Sequence, residues 1–164
     1  MDQKLVNPQI QGVSNTPLDW IQVEYDSNSI KSLCFTDRAL DNSFNNIDNQ
    51  LFKKIHTDII EYFNKKMTSF IYKLNPEGTP FQKRVWDELT KIPYGRTCSY
   101  QELAIRLGGK EKTRAVATAI AKNPILIMIP CHRVIGSNGK LTGFSGGLNR
   151  KRVLLELERN TIIE

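Results

Sequence analysis

Ser99-Tyr100-Gln101-Glu102-Leu103-Ala104-Ile105-Arg106-Leu107-Gly108-Gly109-Lys110-Glu111-Lys112-Thr113-Arg114-Ala115-Val116-Ala117-Thr118-Ala119-Ile120-Ala121-Lys122 is the stretch whose reading decides the fold. Ser99, with Glu102 three residues on, forms a capping box in which each side chain satisfies a backbone N–H that the helix start leaves unpaired. It opens a short helix through Leu107, and Gly108-Gly109 stops it. A further helix is expected from about Glu111 to Lys122. Two short helices across a tight glycine turn resemble a helix-turn-helix. The later helix carries small residues at Thr113, Ala115, Ala117, Thr118, Ala119 and Ala121. Small side chains let a helix come close to a second helix or to a nucleic-acid groove.

Upstream, Thr79-Pro80-Phe81-Gln82 places a capping Thr, a Pro at the first helical position and a Gln three after the cap. Phe81, Val85 and Leu89 then share a face beside Trp86, and Ile92-Pro93-Tyr94-Gly95 ends that helix. Asn75-Pro76-Glu77-Gly78 is rich in turn residues and marks a boundary between a domain of residues 1–77 and one of residues 78–164. In the first, Trp20 to Tyr25 alternates like a strand and pairs with Ile30 to Phe35 across Asp26-Ser27-Asn28-Ser29. Residues 48–65 space Ile55, Ile59, Ile60 and Phe63 like a helix face, and Ser69 to Leu74 looks like another short strand. This half shows no chemistry and is expected to be a small mixed α/β scaffold.

Charge separates the halves. The 164-residue chain has a net charge of +6. Residues 1–77 hold 8 Lys/Arg and 10 Asp/Glu, whereas residues 78–164 hold 15 and 7. A basic half suggests that a polyanion meets the second domain. Hydrophobic residues make up 40%, enough for a core. No apolar run nears the roughly 18 residues of a membrane span, and Met1 to Leu5 holds no signal-like apolar region, so a cytoplasmic protein is expected. Cys34, Cys98 and Cys131 are odd in number and widely spaced, which argues against a disulfide framework. With only His56 and His132 beside them, no metal and no cofactor are expected. Buried packing is the default for Cys34, Cys98 and His56.

Asn123-Pro124 precedes an apolar run, Ile125-Leu126-Ile127-Met128-Ile129, that delivers Pro130-Cys131-His132-Arg133-Val134. Positive neighbours favour the thiolate, the nucleophilic form of cysteine. Adjacent strand residues point to opposite faces, so Cys131 and His132 cooperate only if the chain bends there or a water joins them. A third group should orient the histidine. Glu158 and Glu156, both late in a helix from about Asn149 to Arg159, are equally eligible. Between them, Gly136 to Gly147 is a glycine-rich stretch with a hairpin signal at Asn138-Gly139, readable as a wing followed by a pocket wall.

Asn123-Pro124, Ile129-Pro130-Cys131-His132-Arg133-Val134 and Gly146-Gly147-Leu148 with Lys151, Leu154-Leu155 and Glu158 resemble the O6-alkylguanine-DNA alkyltransferase family. Phe81, Val85-Trp86, Leu89, Ile92-Pro93-Tyr94-Gly95, Ser99-Tyr100, Leu103-Ala104 and Arg114-Ala115-Val116 fit the same pattern in order, over roughly residues 79–158. The resemblance implies an α/β protein whose C-terminal domain is a mainly helical winged helix-turn-helix carrying the cysteine. It implies irreversible, single-turnover repair of O6-alkylguanine, and of O4-alkylthymine, by a monomer bound in the minor groove of double-stranded DNA.

The same resemblance assigns roles. Cys131 accepts the alkyl group, His132 deprotonates it through a bound water, and Glu158 holds the histidine. Asn123 braces the turn carrying the cysteine. Tyr100 offers its hydroxyl to the guanine ring nitrogen, Ser145 its backbone N–H to O6, and the carbonyls of Cys131 and Val134 select guanine. Arg114 fills the gap left by the flipped nucleotide, while Thr113, Ala115, Ala117 and Thr118 let the helix sit deep in the groove. Ser137 also contacts DNA. Phe144 stands where relatives often carry Tyr, so it is read as packing, and the N-terminal zinc ligands of some relatives are absent. Three rival readings are a non-covalent lesion sensor, a cysteine hydrolase using Cys131, His132 and Glu158, and a purely structural DNA-binding module.

Overall fold

The computed structural model describes residues 9–37 and 50–159. Two compact units divide between Pro76 and Glu77. In the first, β1 (Gln9–Thr16), β2 (Asp19–Tyr25) and β3 (Ile30–Thr36) form an antiparallel sheet in chain order. Alternation buries Ile21, Val23 and Tyr25 on one face of β2. The register slips between Glu24, opposite Ser32, and Tyr25, opposite Ile30, so Lys31 is an extra residue. This bulge explains why Ile30 and Leu33, three apart, are both buried. The turn between β2 and β3 is held by Asp26 Oδ1, which accepts from Asn28 N–H at 2.9 Å and Ser29 N–H at 2.6 Å.

Helix α1 (Gln50–Phe63) buries Ile55, Ile59, Tyr62 and Phe63. The expected start at residue 48 lies outside the described residues. The strand expected over Ser69–Leu74 does not form a ladder: the segment makes one isolated parallel bridge, Ile30 to Leu74. Two backbone bonds at that bridge, Ile30 N–H to the Lys73 carbonyl and Asn75 N–H to the Ile30 carbonyl, each at 2.9 Å, are joined by Tyr72 Oη donating to buried Asp58 at 2.5 Å. Alternation there reflects a tethered extended segment rather than sheet pairing. Strand β1 escaped prediction because Gln-Ile-Gln-Gly-Val-Ser-Asn-Thr has little apolar alternation.

The second unit is mainly helical. Helix α2 (Pro80–Thr90) carries the expected capping box, with Gln82 N–H donating to Thr79 Oγ1 at 3.2 Å and Thr79 N–H to Gln82 Oε1 at 2.8 Å. Its Trp86 is buried and donates from Nε1 to the Ala119 carbonyl at 2.9 Å, which pins α2 to the later helix. The two-residue strand β4 (Cys98–Ser99) leads into α3 (Tyr100–Arg106), capped by Ser99 and Glu102 as read from sequence. Gly108, at φ 112°, turns the chain where other residues are strained. Helix α4 (Thr113–Ala121) starts two residues later than expected, since Lys110–Lys112 form a 3₁₀ turn instead.

A second 3₁₀ turn, Cys131–Arg133, runs into β5 (Val134–Ile135), which pairs in parallel with β4. This short ladder, Cys98 to Val134 and Ser99 to Ile135, ties the start of α3 to the exit of the cysteine turn. The expected hairpin at Asn138-Gly139 is a turn closed by Gly136 N–H on the Lys140 carbonyl at 2.9 Å, with no flanking ladder. Helix α5 (Leu148–Arg159) buries Lys151, Leu154 and Glu158. Among the described residues, no helix is long and apolar enough to cross a membrane.

Candidate active site

Cys131 is 2% exposed, yet its side of the turn lines a cavity of about 460 Å³. That size suits a small organic ligand. Tyr100 of α3, Thr113, Arg114 and Ala117 of α4, and Ser137, Phe144 and Ser145 of the glycine-rich loop share its wall. The small residues of α4 therefore divide. Thr113 and Ala117 face the cavity, whereas Ala115 and Thr118 are exposed and off its wall. Thr118 Oγ1 bonds back to the Arg114 carbonyl at 3.0 Å. Gln101, Ile120 and Thr142 also line the cavity and were not singled out from sequence.

The bend that Cys131 and His132 need is the 3₁₀ turn. It sends His132 fully into the interior, where Nε2 meets Glu158 Oε1 at 2.9 Å. Glu156 is exposed, so Glu158 is the carboxylate that orients the imidazole. Gly95 N–H donates to Glu158 Oε2 at 3.2 Å. Arg133 grips the same carboxylate with Nε and Nη2, each at 2.9 Å, and donates from Nη1 to the Ile92 carbonyl at 2.6 Å. Burial raises the Glu158 carboxyl, but the bonds from His132 and Arg133 outweigh it and hold it at about 2. An ionised Glu158 assigns the proton of neutral His132 to Nε2. Burial lowers the imidazole's affinity for a second proton. Nδ1 is buried and has no hydrogen-bond partner among the described residues, so it is the ring nitrogen able to accept a proton.

The sequence reading placed both positive neighbours at the thiol's service, and here the structure corrects it. Arg133 is committed to Glu158. The cation that favours the Cys131 thiolate is Lys151 of α5, buried and behind the cavity. Its Nζ donates to the carbonyls of Val134 at 2.5 Å, Thr142 at 2.8 Å and Gly143 at 3.2 Å. The sequence carried a signal for it: Lys151, Leu154 and Glu158 share one helix face, and charges on an apolar face need partners. Burial dominates at the cysteine and pushes its thiol up to about 11, against the Asn123 bond and the Lys151 charge. The resting sulfur is therefore a protonated thiol.

Asn123 braces this turn closely. Its Oδ1 accepts from Ile125 N–H at 3.0 Å, and its Nδ2 donates to the Ile129 carbonyl at 2.9 Å and to Cys131 Sγ at 3.1 Å. Tyr100 Oη donates to the carbonyls of Thr142 at 2.9 Å and Gly143 at 3.2 Å. Val134 is fully buried and off the cavity wall, and its carbonyl already accepts from Lys151. Of the three residues assigned to packing, Cys98 is buried, while Cys34 and His56 are only half-buried. Among the described residues, no group of three or more His, Cys, Asp or Glu is placed to hold a metal ion.

Fold and site together define a helix-turn-helix protein with a cysteine facing a ligand-sized cavity. Residues 80–160 match the family described as 6-O-methylguanine DNA methyltransferase, DNA binding domain. A methylated-DNA–protein-cysteine methyltransferase of Methanosarcina barkeri is 50% identical over 113 residues, 69% of this chain and 72% of the relative. The crystal structure of the Mycobacterium tuberculosis O6-methylguanine methyltransferase superposes with a TM-score of 0.82 at 37% identity, covering 95% of each chain. The crystal structure of Mycobacterium tuberculosis OGT in complex with DNA superposes with a TM-score of 0.80 at 39% identity over 93% of each chain. The chain belongs to the methylated-DNA–protein-cysteine methyltransferase family.

Proposed function

We propose that this protein repairs DNA by moving a methyl or other alkyl group from O6 of guanine, and from O4 of thymine, onto Cys131. The supporting observation is a thiol on the wall of the cavity, braced by Asn123 and followed directly by the buried His132–Glu158 pair. The target atom lies inside a duplex, so the base must be extruded at a cost of a few kcal/mol. Arg114, exposed on α4 at the cavity mouth, fills the vacated stack. The minor groove suits this task because it is nearly degenerate in sequence, and repair must not depend on sequence.

In the reaction, the Cys131 thiol proton passes through a bound water to His132 Nδ1. The thiolate attacks the alkyl carbon, the S–C bond forms as the C–O bond breaks, and the electron pair stays with the purine. The proton taken from sulfur is returned to the guanine ring nitrogen, so thiol plus alkylguanine become thioether plus guanine. Tyr100 steadies the departing base at a ring nitrogen and the Ser145 N–H steadies O6. For that, Tyr100 releases the Thr142 and Gly143 carbonyls it holds in this structure. Val134 selects guanine through the carbonyl lone pair that Lys151 leaves open, with the Cys131 carbonyl beside it, and Ser137 contacts DNA at the rim. Nothing in the site activates water toward a thioether, so each molecule acts once. The protein works as a cytoplasmic monomer on double-stranded DNA.

Intact-mass measurement after incubation with O6-methylguanine duplex tests this. One methyl increment, mapping to the peptide with Cys131 and absent from Cys131→Ala, is the expected result. Unmodified wild-type protein, or repeated turnover without modification, rejects it.

A further inference from the structure

The segment Ile125 to Cys131 delivers the nucleophile through two tight turns of opposite hand. The first centres on Ile127, whose φ is 69°, with Met128 N–H donating to the Leu126 carbonyl at 2.8 Å. This is a γ-turn in the left-handed region. The second centres on Pro130, at φ −80° and ψ 61°, with Cys131 N–H donating to the Ile129 carbonyl at 2.7 Å. That is the relaxed inverse γ-turn. Ile129 N–H closes the intervening loop on the Ile125 carbonyl at 3.0 Å.

A β-branched residue with positive φ is a true outlier, and such a conformation persists only where the surroundings over-determine it. Here they do. Ile127 is 2% exposed, and Ile125, Leu126 and Ile129 are buried with it. The Asn123 amide grips both ends of the loop, at Ile125 N–H and the Ile129 carbonyl, and the same Nδ2 donates to Cys131 Sγ. One side chain thus holds the loop closed and touches the reacting atom. How tightly the chain is wound between residues 125 and 131 sets where that atom falls.

We propose that Ile127 is a positioning residue: its left-handed backbone winds the loop tightly enough to keep Cys131 Sγ on the Asn123 amide and facing the cavity. The inference rests on reading Cys131 as the alkyl acceptor. Burial pushes the thiol up, and the Asn123 bond is the leading opposing influence, ahead of Lys151. A loosened loop loses that bond. The other groups around the sulfur lie outside the loop that residue 127 winds: His132 beside it, Lys151 of α5, Tyr100 of α3 and Arg114 of α4.

The discriminating set is Ile127→Val, Ile127→Ala and Ile127→Gly. Val keeps the buried branch that pins the turn. Ala loses the packing and still resists positive φ, so its loop relaxes. Gly loses the packing yet adopts positive φ freely. Cys131 reactivity is read as the pH dependence of carboxamidomethylation by iodoacetamide and as the transfer rate from an O6-methylguanine duplex, both normalised to the folded fraction from melts. Val and Gly are expected near wild type, and Ala about tenfold slower, given how steeply rates fall with ångström misplacement. The pH profile of Ala should move to higher pH. Equal rates and superimposable profiles for Ala and Gly, or a Val variant as slow as Ala, overturn the proposal. Wild-type protein that reacts with iodoacetamide but takes no methyl from DNA would instead defeat the alkyl-acceptor reading.

Discussion

Glu158 shows how a single side chain orders the site. It is 2% exposed and holds His132, Arg133 and the Gly95 N–H together across more than half of the second unit. Its carboxyl falls from 4.5 to about 2 on folding. A depressed carboxylate stabilises the fold fully above the unfolded value, and loses that contribution as pH falls through the folded one. The shift is worth on the order of 3 kcal/mol. His132 adds an effect of the same direction. Its lowered affinity for a proton means the unfolded chain binds protons first below about 6.5. Urea unfolding at a series of pH values should therefore show stability flat near neutrality, falling below 6.5 and dropping steeply between 4.5 and 2. For Glu158→Gln the steep part should vanish, and an unchanged acid limb in that variant would contradict the assignment. At this scale the residues themselves named the cysteine and histidine, which are adjacent, and the family resemblance added Asn123. Spacing alone left Glu156 and Glu158 equal, and only the family resemblance chose Glu158. The sequence also credited Arg133 with a charge that tertiary packing spends on Glu158, while Lys151 went unassigned on charge.

At the level of elements, α4 links the cavity to the surface. Its Val116, Ala119 and Ile120 pack inward, Thr113 and Ala117 line the cavity, and Arg114 stands exposed at its mouth. Arg114→Ala should cost little stability, because an exposed side chain removes no buried contact. It should slow repair of duplex DNA by at least tenfold more than reaction with free O6-alkylguanine base, which needs no extrusion, about 1.4 kcal/mol of selective loss. Equal losses on both substrates, measured as rate constants, would remove its role in base flipping. Capping boxes made α2 and α3 legible, since their bonds close within three residues. The strand misread at Ser69–Leu74 and the absent hairpin at Asn138-Gly139 have the opposite cause. Pairing partners are chosen by the rest of the fold, so β5 joins β4, 36 residues upstream in register, instead of folding back on its own loop.

Across the whole molecule, the reaction changes the protein that performs it. Cys131 is 2% exposed and its sulfur is already engaged by Asn123, so an added alkyl group crowds a packed turn. Overpacking costs about 1–3 kcal/mol, and calorimetry should find the alkylated protein melting several degrees below the unmodified one. An unchanged melting curve would show that the cavity absorbs the group without strain. The charge asymmetry between halves, the capped starts of α2 and α3 and the candidate nucleophile were legible in the sequence alone, because each depends on composition or on groups that are near neighbours. Three things waited for the tertiary structure: the cavity beside the sulfur, the gathering of Arg133 and the Gly95 N–H onto Glu158, and the placing of Lys151 near the thiol. They join groups 17 to 63 residues apart, and only burial of the intervening chain decides which of many possible partners meet.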